Sequence, residues 1–430
     1  MKKVLIITYY WPPAGGPGVQ RVLKFVKYLK KNNWQPIVLT VENGSYPAID
    51  ETLIKEIPSD CKVYKCPAVE PFGLYKKFVG IKKNEKIPTH VLNKNEKAGL
   101  KQNLSRWVRS NVFIPDARIG WINNIVKYGS KIVEEEKPDV IFSSSPPHSL
   151  QLGARKLAIK TGVKWIADFR DPWTDGFWQK DLNKSKLSSS LDLSFEKKVL
   201  KSADAVIAVG KSMIDLFDTK VKNNYHIIQN GFDETDFNSV IKEESDKFRI
   251  KHSGSVRKMQ NPKNFFPALK NLIDTDRINK DKLSVEFFGS VHPDILQEIE
   301  NHNLQDIIRV KSYVPHTKSI ENIVNSDLLL LFIPNTPDNK GIITGKIFEY
   351  LRTKNTILGL GPKDGDAAEI LNNTGCGKMF EYPDNLEDFI FENYRNWLDK
   401  KNTTIDDKVI NEYSREAGTE KLVSVMNKII

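Results

Sequence analysis

Short apolar runs of strand length alternate with stretches of helical spacing along almost the whole chain, and this alternation restricts the fold more than any other feature. Val4 to Thr8, Ile37 to Val41, Val63 to Cys66, Val140 to Ser143, Val163 to Ala167, Ala205 to Val209 and Tyr225 to Gln229 read as strands. Continuous apolar runs of this length suit strands buried on both faces, as in parallel sheets. Between them, Val19, Val22, Leu23, Val26 and Leu29 recur at helical spacing, and Ile119 to Glu136, Leu150 to Thr161, Ser194 to Lys201 and Ser212 to Phe217 read as helices. Thr235 to Lys247 is polar and without period. The pattern then restarts with strands at Phe248 to His252, Leu283 to Phe288, Ile308 to Val310, Asp327 to Phe332, Thr356 to Leu360 and Lys378 to Phe380, and ends in a helix from about Val409 to Ile430.

A chain of 430 residues is too long for one core. The expectation is α/β, with two doubly wound domains facing each other: residues 1–234, a linker at 235–247, a second domain at 248–405, and a C-terminal helix within 406–430. In such sheets ligands bind beyond the carboxyl ends of the strands. The loops after Thr8, Ser143, Ala167, His252 and Phe332 are therefore the places to look for function.

Composition excludes some classes. No run of about 18 apolar residues is present, so no membrane span is expected. The apolar part of the N-terminal stretch is too short for a signal peptide and reads as a first strand. Cys61, Cys66 and Cys376 are too scattered for a disulfide framework or a zinc site, which suits a reducing cytoplasm. The net charge of +11 is concentrated between about 74 and 110, where Lys76, Lys77, Lys82, Lys83, Lys86, Lys94, Lys97, Lys101, Arg106 and Arg109 stand against Glu85 and Glu96. With Tyr75, Phe78, Trp107 and Val108 interleaved, this segment suits an anionic membrane surface, or is a solvated insertion. No nucleic-acid-binding signature accompanies it, and no nucleic-acid partner is expected.

Several loops carry chemistry. Gly15-Gly-Pro-Gly18 after the first strand permits close backbone approach to a ligand, or is a simple connector; Gln20 and Arg21 follow and could reach an anionic acceptor. His148 follows two prolines at a strand end, as a functional group or as a buried or capping residue. Asp168, Arg170 and Asp171 form either an acceptor-binding cluster or an internal ion-pair network. Ser253-Gly-Ser255 is followed by Arg257, Lys258 and Lys263, cations suited to a diphosphate. Near Thr344 or Gly345 a helix begins, with Thr344 able to cap it and Lys346 and Glu349 in its first turns. Free N–H groups and a lysine suit phosphate, and an acid beside them suits sugar hydroxyls. Asp364-Gly-Asp366 has the spacing of some metal-binding pairs but lies at a helix start, where capping is the better reading. No other residue set has metal-ligand spacing.

Taken together, Gly15-Gly16, Ser145-Pro-Pro-His148, Ile227-Ile-Gln-Asn-Gly-Phe-Asp233, Ser253-Gly-Ser255 with its basic residues, and Ile343-Thr-Gly-Lys-Ile-Phe-Glu-Tyr-Leu351 resemble glycosyltransferase family 4 over nearly the whole chain. The resemblance implies the GT-B fold, two facing Rossmann-like domains, with the C-terminal helix packing back on the N-terminal one. It implies a retaining enzyme that moves a sugar from a nucleotide-sugar to a saccharide or lipid-linked saccharide, in cell-surface polysaccharide synthesis on the cytoplasmic side of the membrane. No cofactor and no essential metal are expected. Under it, Gly15 and Gly16 border the acceptor and the donor phosphates, and His148 faces the donor sugar. Arg257, with Lys258 or Lys263, and Lys346 meet charge on the diphosphate. The amides of Ile343 and Thr344 hold that diphosphate beside Gly254, Glu349 holds the ribose, and Val314 brackets the base. Gln20, Arg21, Asp168 and Arg170 are left for the acceptor. Where the family has a further glutamate, eight positions before Glu349, this chain has Gly341. A sugar-nucleotide epimerase of the same fold, or a non-catalytic sugar-nucleotide-binding subunit, is the alternative.

Overall fold

In a computed structural model of the chain, the residues described are 1–68, 107–108, 110–176, 179, 182–401 and 405–430. Most of the basic segment, residues 69–106 with Arg109, lies outside them. The chain forms two compact units. The first comprises Met1–Val209, Met213–Ile228 and Thr419–Ile430, and the second Gly210–Ser212 and Gln229–Gly418.

The first unit is built on a seven-stranded sheet. Its strands are β1 (Lys2–Thr8), β2 (Trp34–Val41), β3 (Lys62–Cys66), β4 (Val140–Ser145), β5 (Lys164–Phe169), β6 (Ala205–Ala208) and β7 (Tyr225–Ile227). The order is β3-β2-β1-β4-β5-β6-β7, and every pair is parallel. Alternation of side chains sends Leu5 and Ile7 to one face and Val4 and Ile6 to the other. The first face is covered by the helices Ile122–Glu136 and Ser149–Thr161, through Ile125, Leu150 and Leu157. The second is covered by the helix Pro17–Leu29 and by Leu422, Val425 and Met426 from the C-terminus.

The second unit has a six-stranded parallel sheet. Its strands are β8 (Phe248–Ser253), β9 (Leu283–Phe288), β10 (Ile308–Lys311), β11 (Leu328–Phe332), β12 (Thr356–Leu360) and β13 (Gly377–Phe380), in the order β10-β9-β8-β11-β12-β13. β11 is buried along its whole length, as its Leu-Leu-Leu-Leu-Phe run requires. In each sheet the strand order reverses once, between β1 and β4 and between β8 and β11. Such a reversal opens a crevice at the carboxyl ends of the two strands. The two doubly wound α/β sheets expected from the alternation are present.

Three helices differ from the sequence reading. The helix before β6 runs Lys186–Ser202 and starts well before Ser194; Ser188, Asp192 and Glu196 lie on its buried face, so apolar periodicity hides its first half. The helix Pro293–Asn301 was not expected, because it buries little more than Ile295 and Ile299. The last helix is two, Asp407–Asn411 and Arg415–Ile429. Between them Phe232 takes the ladder bonds: its N–H donates to Tyr413 O at 3.2 Å and its carbonyl accepts from Arg415 N at 2.8 Å.

Candidate active site

In the second unit, the reversal point is occupied by the end of β8 and the start of the helix Lys346–Thr353. Gly254 has φ 107°, which favours glycine, and its N–H donates to Phe288 O at 2.7 Å. A methyl group at Gly254 would overlap Cε and Nζ of Lys346, which lies directly over it. The Lys346 Nζ is 3.2 Å from His252 Nε2. His252 is buried, with Nδ1 2.8 Å from Leu330 O and its ring stacked on Phe332 at 4.8 Å between centroids. A carbonyl only accepts, so Nδ1 carries the proton and Nε2 is the acceptor for the lysine. Burial holds the His252 pKa well below its usual value, and the Lys346 charge pushes it the same way. Burial also brings the Lys346 pKa down to about 8; Glu349 opposes this and Arg257 adds to it.

Among the described residues, neither the Ile343 nor the Thr344 N–H has an acceptor. The expectation that Thr344 caps this helix is corrected. Gly345 takes the cap position in helical conformation with no side-chain cap, and the Thr344 hydroxyl is buried without a hydrogen-bond partner. Glu349 Oε1 meets His316 Nε2 at 2.9 Å. Val314 is half-buried in the loop between β10 and the helix His316–Val324.

The cations after Gly254 divide. Arg257 is exposed, and its charge reaches Lys346. Lys258 and Lys263 turn to the helix Pro293–Asn301, where Lys258 pairs with Asp294 at 3.0 Å and Lys263 lies 4.0 Å from Glu298. Both also line a cavity of about 510 Å³ with Met259, Asn261, Asn335 and Tyr382. At Gly341 a Cβ would stand 3.1 Å from Ser212 Cβ, so a glutamate there has little room. Asp364 pairs with Lys340, and Asp366 accepts from Ser212 N and Oγ rather than capping its own helix Asp366–Thr374. No group of three or more metal-ligating side chains is found among the described residues.

In the first unit, three of the five residues assigned to the acceptor, Arg21, Asp168 and Arg170, have their side chains engaged within the fold. Arg21 and Asp168 are fully buried and form an ion pair, with Nη2 2.7 Å from Oδ1 and Nε 3.0 Å from Oδ2. Ser144 Oγ donates to the same carboxylate at 2.6 Å, and Arg21 also donates to Ile228 O at 2.8 Å. Arg170 donates to the carbonyls of Ser145, Pro146 and Gly18, tying the loop after β1 to the loop after β4. Asp168 is thus held by Arg21 and Ser144, and Arg170 by backbone carbonyls. Gln20 is half-buried, Gly15 donates to Ala48 O at 2.9 Å, and Gly16 is exposed with φ 94°.

His148 stands just before the helix Ser149–Thr161, whose first turn is held by Asp116, accepting from Ser149 N and Oγ at 2.8 Å each. Its ring stacks on Trp173 at 4.9 Å and 9°, and its Nδ1 is buried without a hydrogen-bond partner. Burial, with the Arg170 and Lys184 charges behind it, lowers its pKa to about 3, so the ring is neutral. Asp116, Trp173 and His252 escaped the sequence reading. Only His252 left a signal there, a titratable residue ending an apolar strand.

Residues 85–236 match the family model described as Glycosyltransferase Family 4. A comparison with curated protein sequences gives no match. Among solved structures, the chain is similar to a glycosyltransferase from Rickettsia africae ESF-5, at 17% identity and TM-score 0.62, covering 100% of this chain and 98% of that one. It is similar to Anabaena Alr3699/HepE in complex with UDP, at 13% identity and TM-score 0.57, with coverage of 100% and 98%. A UDP-N-acetylglucosamine 2-epimerase described as putative, from Listeria monocytogenes, shares the fold at 12% identity and TM-score 0.53, with coverage of 100% and 96%. At these identities the structural likenesses speak to fold. Residues 85–236 thus resemble glycosyltransferase family 4, and the two parallel α/β units share the fold of these solved structures.

Proposed function

We propose that the protein transfers a sugar from a nucleoside diphosphate donor to a saccharide or lipid-linked saccharide acceptor, with retention at the anomeric carbon and without an essential metal. The observation that carries this reading is a set of donors around the helix start Lys346–Thr353 in the second unit: the N–H groups of Ile343 and Thr344, which have no acceptor among the described residues, and Lys346 beside Gly254. The bond from the anomeric carbon to the diphosphate oxygen breaks, and the leaving group gains charge. Lys346, Arg257 and the two N–H groups meet that charge, and one such donor is typically worth about 3 kcal/mol in the transition state. The acceptor hydroxyl forms the new bond on the same face and gives its proton to the departing phosphate, so no protein carboxylate is needed as nucleophile. Glu349 is placed to accept from ribose hydroxyls once His316 gives way. UDP is the first base to test, because the similar Anabaena protein is in complex with it.

The basic segment of the sequence supports an acceptor at the cytoplasmic face of a membrane, in cell-surface polysaccharide synthesis. Incubation with UDP-, GDP- and TDP-sugars, with and without lipid-linked saccharides, tests the reading. Release of nucleoside diphosphate that depends on the acceptor, and survives EDTA, is the expected result. Donor binding with no release refutes it in favour of a binding subunit, and interconversion of the donor sugar refutes it in favour of an epimerase.

A further inference from the structure

We propose that His252 is a positioning residue that holds the Lys346 ammonium over Gly254, toward the N–H groups of Ile343 and Thr344. The proposal rests on the reading that this set binds a diphosphate. A lysine side chain is long, flexible and strongly hydrated, and does not hold one orientation without a partner. Here the partner is a neutral ring fixed on three sides. Nδ1 donates to Leu330 O, Phe332 stacks on one face, and Phe287 packs at 6.0 Å between centroids. The tautomer set by the β11 carbonyl leaves the Nε2 lone pair for the lysine. A carboxylate at this point would attract the ammonium more strongly, but would also repel a diphosphate. The imidazole positions the cation and leaves its charge free for the ligand.

The charged groups facing Lys346 are Arg257 from the loop after β8 and Glu349 on its own helix, with His252 from β8. Burial makes Lys346 titrate near pH 8. Its contribution to anion binding is therefore present below that pH and fades above it. A diphosphate loses its last proton near pH 6, so the ligand charge changes little between about pH 7 and 9.

The test is UDP binding by calorimetry from pH 6.5 to 9.5, with His252→Asn and His252→Gln. Asparagine keeps the donor to Leu330 O but cannot reach Lys346; glutamine presents an amide oxygen within reach. The expected result is a loss of about tenfold at pH 7 for His252→Asn, the scale of one charge-assisted hydrogen bond, and no more than about threefold for His252→Gln. The His252→Asn and native curves should converge above pH 9, where Lys346 is neutral. Lys346→Met should remove the pH dependence and, combined with His252→Asn, add no further loss. Native affinity in His252→Asn, equal loss in both His252 variants, or additive losses in the double variant would each overturn the assignment. A native protein that binds neither UDP nor another nucleoside diphosphate instead overturns the reading of the site itself.

Discussion

Replacing Asp168 with alanine separates a structural role from an acceptor-binding one. Arg21 and Asp168 are both fully buried, and the carboxylate accepts from Nε and Nη2 of the arginine and from Ser144. Without it, the guanidinium is left in the core with the Ile228 carbonyl among its remaining acceptors. Removing one partner of a buried pair typically costs about 3–5 kcal/mol, because the other charge stays desolvated. That is a large share of the roughly 5–15 kcal/mol that holds a domain together. For a unit of this size, 1 kcal/mol moves the melting temperature by about 2–4 °C, so a fall of about 6–20 °C is expected. Differential scanning calorimetry is the assay, since the two units have separate cores and can melt in separate transitions. Only the transition of the first unit should move. A melting temperature within about 2 °C of native, together with weakened acceptor binding, would refute the argument and return Asp168 to the acceptor site.

Other outcomes follow from the same geometry. Gly254→Ala introduces a methyl group onto Lys346 at a positive φ, and UDP affinity should fall at least tenfold while the second unit's melting temperature drops by only a few degrees. Arg257→Ala should lower turnover by about 100-fold with little change in acceptor KM, because the charge it meets develops only in the transition state. His148 has its folded pKa depressed to about 3, so the unfolded state binds its proton first; stability should be full above about pH 6.5 and decline as pH falls toward 3, and His148→Phe should flatten that decline in urea titrations. Turnover should show no limb near pH 6.5 from this residue. Arg170→Met removes the guanidinium bonds to the carbonyls of Ser145, Pro146 and Gly18, and amide exchange should quicken at 15–20 and 145–149.

The central strands were legible because they are runs of apolar residues, whereas edge strands such as Lys62–Cys66 and Ile308–Lys311 are mixed and were read from the alternation around them. The two sheets and their carboxyl-end loops followed from that alone. What sequence could not show is pairing over distance. Arg21 and Asp168 are 147 positions apart, and Lys346 and His252 are 94 apart. Each member alone is an ordinary charged or titratable residue at a strand end or helix start. Only the order of the strands brings β5 behind the first helix, and β8 beside the loop after β11. Arg170 shows the opposite difficulty. Its charge and its place in a loop suggested a ligand, yet backbone carbonyls of two neighbouring loops take its guanidinium. The helices Lys186–Ser202 and Pro293–Asn301 were obscured because the first buries polar residues and the second buries few apolar ones.

The route of the chain through its two units has a consequence for biosynthesis. The sheet face bearing Val4, Ile6 and Val38 is covered in part by Leu422, Val425 and Met426, which are synthesised only after the second unit. The first unit therefore waits, with part of an apolar face open, until the whole second unit has been made. That unit is in effect an insert within the first, followed by Thr419–Ile430, which return to the first unit. A nascent chain, or one cut short before Thr419, holds every strand of both sheets and still lacks the piece that seals the first core. Residues Thr419–Ile430 thus seal the first core, and in a product cut short before them the open face is the surface on which chaperones and proteases would act.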